Sequence, residues 1–480
     1  MAGAARVLSV ASEAVPLVKT GGLADVAGAL PAALAGQGWD MRVLLPAYRG
    51  LADRLTGPQT IWRDADLFGG KARVLKGTLG GVMFLLLDAA HLFDRAGGPY
   101  SDAGRDHPDN AERFAALSWA AAELARGQGT DGWSPAILHA HDWQAGLAPA
   151  YLRYGPEVPV RTVMTVHNIA FQGIAPADKL AGLRLPGWTY SADRVEYFGN
   201  ISTLKAGLVT ADAITTVSPT YAEELRRPDY GLGLEGVIAS RARDLHGILN
   251  GVDLAVWSPE RDPAIIPYSA KSLKGKAENR AALAAEFGLS PADGPLAIVV
   301  SRLTDQKGID LLAEVLPEFI SAGGSLAVLG AGDPALEAAM RQAAERWPGR
   351  VGVRIGYDEA LAHRMFGGGD AVLVPSRFEP CGLTQMYGLR YGTIPVVAAT
   401  GGLNDTVIGA TPASLSARAA TGVSFHPVDK TAFAGALRQV SRLYADRSGW
   451  TSLMKRAMKA EVGWEAPAAR YADLYRSLLP

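Results

Sequence analysis

Apolar positions along this chain fall into two rhythms, and the alternation between them predicts the fold. Short β-branched or leucine-rich runs cover residues 7–12, 41–46, 82–87, 137–140, 161–165 and 213–217, each of strand length. After the first run, Leu23, Val26, Ala27, Leu30 and Leu34 recur at helical spacing, and Pro31 is expected to kink that helix or to begin a second segment. Strands separated by stretches long enough for a helix form parallel crossovers. A second series follows, with strands at 296–300, 325–329, 351–355, 371–375 and 394–398 and an amphipathic helix over 334–347. Residues 257–276 are mixed in pattern and carry three prolines, which reads as a connection between domains. Near the end, Trp464, Tyr471, Leu474, Tyr475 and Leu478 share one helical face, so a terminal helix is expected to dock on another part of the chain.

The fold class expected is therefore α/β, with two doubly wound, Rossmann-like domains. The first is placed at residues 1–245, the second at 246–456, and a C-terminal helical segment at 457–480. The length of 480 residues admits two or three domains at roughly 150 each, and the pattern reduces this to two large ones.

Charge and composition narrow the function by exclusion. Lys and Arg total 47 against 48 Asp and Glu, so neither the basic field of a nucleic-acid binder nor an acidic tail is present. Cys381 is the single cysteine, which excludes an intramolecular disulfide and a cysteine-rich metal site. Glu13 interrupts the apolar N-terminal stretch, no clean cleavage site follows, and no apolar run approaches the roughly 20 residues of a membrane span. A cytoplasmic protein without nucleic-acid or membrane partners is expected.

Ligands of open α/β sheets bind beyond the carboxyl ends of the strands, so the segments that leave predicted strands carry the chemistry. Residues 19–25, KTGGLAD, lie between the first strand and first helix, where Gly22 and its neighbour let a ligand approach and Lys19 adds a cation. Asp25 either serves that ligand or simply favours the first helical turn. His139 and His141, at i and i+2 on a strand, point the same way as a metal pair could, but no further ligand cluster beyond His167 supports one. Asp142 with Trp143 suits a sugar-binding surface, as do His167 and Asn168 at the next strand end, while Asn250 with Gly251 is equally a turn signal.

In the second half, Arg302 and Lys307 stand five residues apart in SRLTDQKG and form a candidate diphosphate clamp that needs no metal ion. Tyr357, beyond another strand end, can stack on a base. The most informative segment is PSRFEPCGLT at 375–384, in which Glu379 can orient sugar hydroxyls or stabilise positive charge at an anomeric carbon. There the amides of Gly382, Leu383 and Thr384 can hold phosphate oxygens.

The ordered set KTGGLADV, HAHDWQ, TVHN, LNGVD, SRLTDQKG, GYDEALAHR and PSRFEPCGLTQM resembles that of bacterial glycogen synthases and plant starch synthases, over nearly the whole chain. The resemblance implies two Rossmann-like domains facing across a deep cleft, the GT-B arrangement, with the C-terminal helix returning to the N-terminal domain. It implies transfer of an α-glucosyl group from ADP-glucose to the non-reducing 4-hydroxyl of an α-1,4-glucan such as glycogen, with retention of configuration and no metal or pyridoxal cofactor. It further implies that Arg302, Lys307, Lys19 and Gly22 engage the donor diphosphate and that Asp142, His167, Asn168 and Asn250 meet the sugar. Glu379, Cys381, Gly382, Leu383 and Thr384 would fix sugar and phosphate, and Tyr357 would contact adenine. A same-face displacement and a covalent carboxylate intermediate are both compatible with retention. Rival readings are a phosphorylase-like or other retaining transferase with a different donor, a metal-dependent hydrolase built on His139 and His141, and a noncatalytic glucan or nucleotide sensor.

Overall fold

The computed structural model describes residues 5–480 and divides into two compact units. The first comprises residues up to Gly251 together with Trp464–Pro480, and the second comprises Val252–Gly463. The chain therefore crosses at 251/252 and returns at 463/464, where the sequence pattern placed the changes at 245/246 and 456/457.

The first unit is built on a nine-stranded sheet. Its order is Leu245–Gly247, Ala213–Thr216, Arg161–Val166, Ile137–His141, Ala5–Val10, Trp39–Pro46, Val82–Asp88, Ala72–Leu79 and Thr56–Asp64. The first seven are parallel and the last two are added antiparallel. Those last two were not predicted: the edge strand Thr56–Asp64 starts with four exposed residues and carries no apolar run to announce it. Ala5–Val10 lies between Ile137–His141 and Trp39–Pro46, so the strand order reverses there and opens a crevice at the carboxyl edge.

Helix Gly22–Ala35 follows the first strand and continues through Pro31 as one helix, so of the two expected outcomes, a kink or the start of a second segment, the second does not occur. The missing amide removes one hydrogen bond, but Val26, Leu30 and Leu34 are fully buried in one core cluster, and that burial holds the helix together. The terminal helix Glu465–Leu478 joins the same cluster through Tyr471, Leu474 and Tyr475, with the Tyr475 ring edge-on to Trp39 at 5.2 Å. Gly251 is set by this docking, because a Cβ there would come within 2.7 Å of the backbone and indole of Trp464.

The second unit has a six-stranded, fully parallel sheet in the order Val351–Ile355, Ser325–Gly330, Leu296–Val300, Ala371–Val374, Ile394–Ala398 and Val423–Phe425. Here the order reverses between Leu296–Val300 and Ala371–Val374, so the loops at 301–308 and 375–383 leave from the two sides of the switch point. The segment expected as a connection is packed into this unit instead. Trp257 is sandwiched between His363 and Tyr387 at 3.9 and 3.7 Å, and the Tyr268 hydroxyl donates to the Tyr391 carbonyl. Three prolines masked that packing, since they suppress a helical or strand period without preventing a tryptophan from anchoring the chain.

Candidate active site

In the first unit, Glu13 organises the loop between the first strand and first helix. It is buried, and its carboxylate accepts from the Thr20 amide, the Thr20 hydroxyl at 2.7 Å, the Gly21 amide at 3.1 Å and the Tyr100 hydroxyl at 2.8 Å. A buried carboxylate needs such partners, and they fix the glycine turn. A Cβ on Gly21 or Gly22 would meet nothing within 4 Å, so packing does not demand glycine at either position. The open side of the loop is room for a ligand. Lys19, at the same turn, pairs with Asp25 at 2.8 Å. Sequence reasoning treated Glu13 only as an interruption of an apolar run, although a charge inside such a run is itself a signal of a buried, partnered group.

Strand Ile137–His141 delivers Asp142, whose backbone takes a left-handed φ of +54°. Its carboxylate accepts from the His167 amide at 2.7 Å and more loosely from the Asn168 amide at 3.5 Å, which brings the predicted trio together. The Asn168 side-chain oxygen accepts from the Ala170 amide at 3.0 Å. Asn250 is buried, with its side-chain oxygen unpartnered, and Asn-Gly marks the turn after Leu245–Gly247.

Burial raises the Asp142 carboxyl from 3.8 to about 7, against the two amides that favour its charged form and with the Glu13 charge adding to the rise. A carboxyl raised in the folded chain contributes stability that is present below its unfolded value and is lost as pH climbs through about 7. Asp142→Asn is therefore expected to melt about 5 °C above the wild type at about pH 8, with a smaller gain at about pH 5.5, in thermal denaturation. An equal gain at both values would refute the assignment.

The three neighbouring imidazoles are buried and neutral: burial pushes His139 and His167 down to about 3 and His141 well below 6.5. His139 bonds the Tyr475 hydroxyl at 2.7 Å and the Thr165 hydroxyl at 2.5 Å. His141 bonds Ser9 at 3.1 Å and His167 at 2.9 Å. All ring nitrogens of the i, i+2 pair are thus occupied by core partners, and among the described residues no group of three or more His, Cys, Asp or Glu could hold a metal ion.

In the second unit the two switch-point loops are laced together. Arg377 grips Asp310 with two bonds of 2.7 and 2.6 Å, and its amide donates to the Gln306 carbonyl at 2.9 Å. Gln306 in turn donates to the Phe378 carbonyl at 3.2 Å. This brace sets Lys307 against Glu379 in a close ion pair at the same carboxylate oxygen, Oε2, that accepts from the Ser376 hydroxyl at 3.0 Å. The other oxygen, Oε1, has no hydrogen-bond partner among the described residues and is not sealed from solvent. Gly308 and Gly382 occupy left-handed φ of +68° and +71°, and a Cβ on Gly382 would press to 3.1 Å against Glu379 Cγ.

Gln385 ties the carbonyls of Cys381 and Gly382 at 3.0 and 2.9 Å, so Leu383 and Thr384 begin helix Thr384–Tyr391 from a braced turn. Arg302 is exposed, and its guanidinium donates to the Gln306 side-chain oxygen at 3.4 Å. Tyr357 stands 77% exposed beyond Val351–Ile355, with its hydroxyl on Glu359 at 3.1 Å. Ser376, Arg377, Asp310 and Gln385 were not anticipated as supports: the Arg377–Asp310 pairing joins residues 67 apart, which no local pattern encodes, whereas Ser376 and Gln385 reach Glu379, Cys381 and Gly382 only three or four residues away, through turn geometry that residue type alone does not announce.

Two units on largely parallel sheets, each with its loops leaving at a switch point, have the architecture of the GT-B glycosyltransferases. The sequence matches the starch synthase catalytic domain family over residues 6–240 and the glycosyl transferases group 1 family over residues 284–452. It is 64% identical to a glycogen synthase of Cereibacter sphaeroides over 99% of this chain and 98% of that one, and 57% identical to a glycogen synthase of Paracoccus denitrificans over 98% and 99%. The catalytic domain of starch synthase IV from Arabidopsis thaliana, solved bound to ADP and acarbose, superposes with a TM-score of 0.88 at 30% identity, covering 99% of both chains. Sucrose-phosphate synthase from Thermosynechococcus elongatus, at 20% identity and a TM-score of 0.62 over 99% of both chains, shares the fold. The chain belongs to the starch and glycogen synthase family, and it is a glycosyltransferase. No helix among the described residues is long and apolar enough to cross a membrane.

Proposed function

We propose that the protein elongates an α-1,4-glucan by transferring glucose from ADP-glucose to the non-reducing 4-hydroxyl, with retention of configuration, as a glycogen synthase of the cytoplasm. The observation that carries the reading is the Glu379 carboxylate, anchored at one oxygen by Lys307 and Ser376 and open at the other. In this reading Lys307 and Arg302 neutralise the departing diphosphate, and the amides of Gly382 to Thr384 at a helix start receive phosphate oxygens. Cys381 supplies the braced backbone before them. Tyr357 offers an exposed ring to the adenine.

The first unit supplies the sugar-side groups. Lys19 and Gly22 meet the diphosphate once Lys19 exchanges Asp25 for it, and Asp142, His167, Asn168 and Asn250 meet the glucosyl group or the acceptor. The Arabidopsis relative bound to ADP supports an adenine diphosphate donor, and its acarbose supports a glucan-like acceptor. The test follows label from ADP-glucose or UDP-glucose into glycogen with no metal added. Incorporation from ADP-glucose is expected to exceed that from UDP-glucose by at least about tenfold, and equal or reversed preference would overturn the donor assignment.

A further inference from the structure

The three histidines form two separate buried networks, and one of them ends at the proposed substrate site. Ser9 Oγ lies 3.1 Å from His141 Nε2, and His141 Nδ1 lies 2.9 Å from His167 Nε2. Ser9 and His141 are fully buried, and Ser9 Oγ has no other hydrogen-bond partner among the described residues. Among the described residues His167 Nδ1 has no hydrogen-bond partner, and it is not sealed from solvent, so the line runs from a closed end at Ser9 to an open end at His167.

A line of neutral groups with one closed end can satisfy every proton in only one direction. If His141 Nε2–H donated to Ser9, the serine proton would be left orphaned in the core, which costs free energy. If Ser9 donates to His141 Nε2, then His141 carries its proton on Nδ1 and donates to His167 Nε2. His167 must then carry its own proton on Nδ1, at the open end, where water or substrate accepts it. The neutral state that this ordering requires is the one burial imposes on both imidazoles.

We propose that Ser9 and His141 are positioning residues that lock His167 as the Nδ1–H tautomer, so that its ring offers a hydrogen-bond donor to an oxygen of the sugar. The strand geometry explains why the sequence can do this. Ser9 pairs in register with His139 on the adjoining strand, and His141, two residues further along, projects on the same face as His139. This proposal rests on the reading of His167 as a substrate contact and deepens it: a donor at that position selects an acceptor oxygen such as a hydroxyl and disfavours a cationic or donor-only group.

The test reads the tautomer in the ligand-free full-length protein, separately from activity. In protein labelled with 15N-histidine, long-range proton–nitrogen correlation at about pH 7.5 is expected to show His167 with a protonated Nδ1 and a bare Nε2, the signal being assigned by its loss in His167→Asn. Ser9→Ala removes the donor at the closed end. It is expected to move His167 partly or wholly to the other tautomer and to lower kcat about tenfold with KM for ADP-glucose within about twofold, while Ser9→Thr stays within about twofold of wild type. A wild-type His167 protonated at Nε2 overturns the proposal. So does a Ser9→Ala protein that loses activity with its His167 tautomer unchanged, because the serine would then be merely structural. A tautomer that moves without any change in kcat supports the relay and instead overturns the placement of His167 at the substrate.

Discussion

Glu379→Ala is expected to fold and to lose at least about a thousandfold in glucosyl transfer, measured as initial incorporation from labelled ADP-glucose into glycogen. The size follows from what the carboxylate does. It is an acidic group at the switch point held from two sides, by Lys307 and Ser376, and its second oxygen has no partner among the described residues. A preorganised charge of this kind acts on charge that develops in the transition state and needs no rearrangement to do so. The loss should be in kcat, with a modest effect on KM. Folding survives because the side chain lies at the carboxyl edge of the sheet, and Lys307, freed of its partner, still reaches water. Turnover near that of wild type in a folded Glu379→Ala protein would remove this residue from the mechanism.

Lys307→Ala should cost about a hundredfold or more in kcat/KM for ADP-glucose, and more than Arg302→Ala, for which about tenfold is expected. The difference comes from their surroundings. Arg302 is exposed and loosely bonded to Gln306 at 3.4 Å, so its loss removes one donor to the diphosphate. Lys307 is largely covered, and its removal also strands the Glu379 carboxylate, which keeps only Ser376. The pair should accordingly be non-additive: Lys307→Ala combined with Glu379→Ala is expected to be little worse than Glu379→Ala alone. Steady-state kinetics with varied ADP-glucose measure all four proteins, and strictly additive losses would show that the two residues act independently.

Much of the fold was legible because parallel strands buried on both faces are near-continuous apolar runs. Residues 296–300, 325–329, 351–355 and 394–398 coincide with observed strands almost to the residue. Thr56–Asp64 and Ala72–Leu79 escaped notice because they form an antiparallel edge extension with polar and apolar positions mixed and with register shifts in their pairing. Pro31 begins no second segment for a different reason: proline's local penalty is real, but Leu30 and Leu34 on either side of it are fully buried and keep the helix continuous.

At the site, the residues that emerge from strand ends were readable as chemistry. Lys307, Glu379 and Asp142 are charged groups placed directly after apolar runs, where burial of a charge has to be explained. Their states were not readable. That Asp142 titrates near 7, that Lys307 chooses Glu379, and that Ser9 orients His141 and His167 all depend on which distant segments arrive beside them.

The sequence by itself determined two parallel α/β units, the strand ends from which the ligand-facing loops depart, and a family-specific order of motifs along those loops. Periodicity and composition are local quantities, and they suffice for these. Only the tertiary structure decided that His139 serves a core network while His141 links Ser9 to His167, that Glu13 braces the glycine turn, and that Arg377, Asp310 and Gln306 clamp two loops into one half-site. Hydrogen bonds and desolvation act over a few ångströms in space between residues tens or hundreds of positions apart, so no reading along the chain could have assigned them.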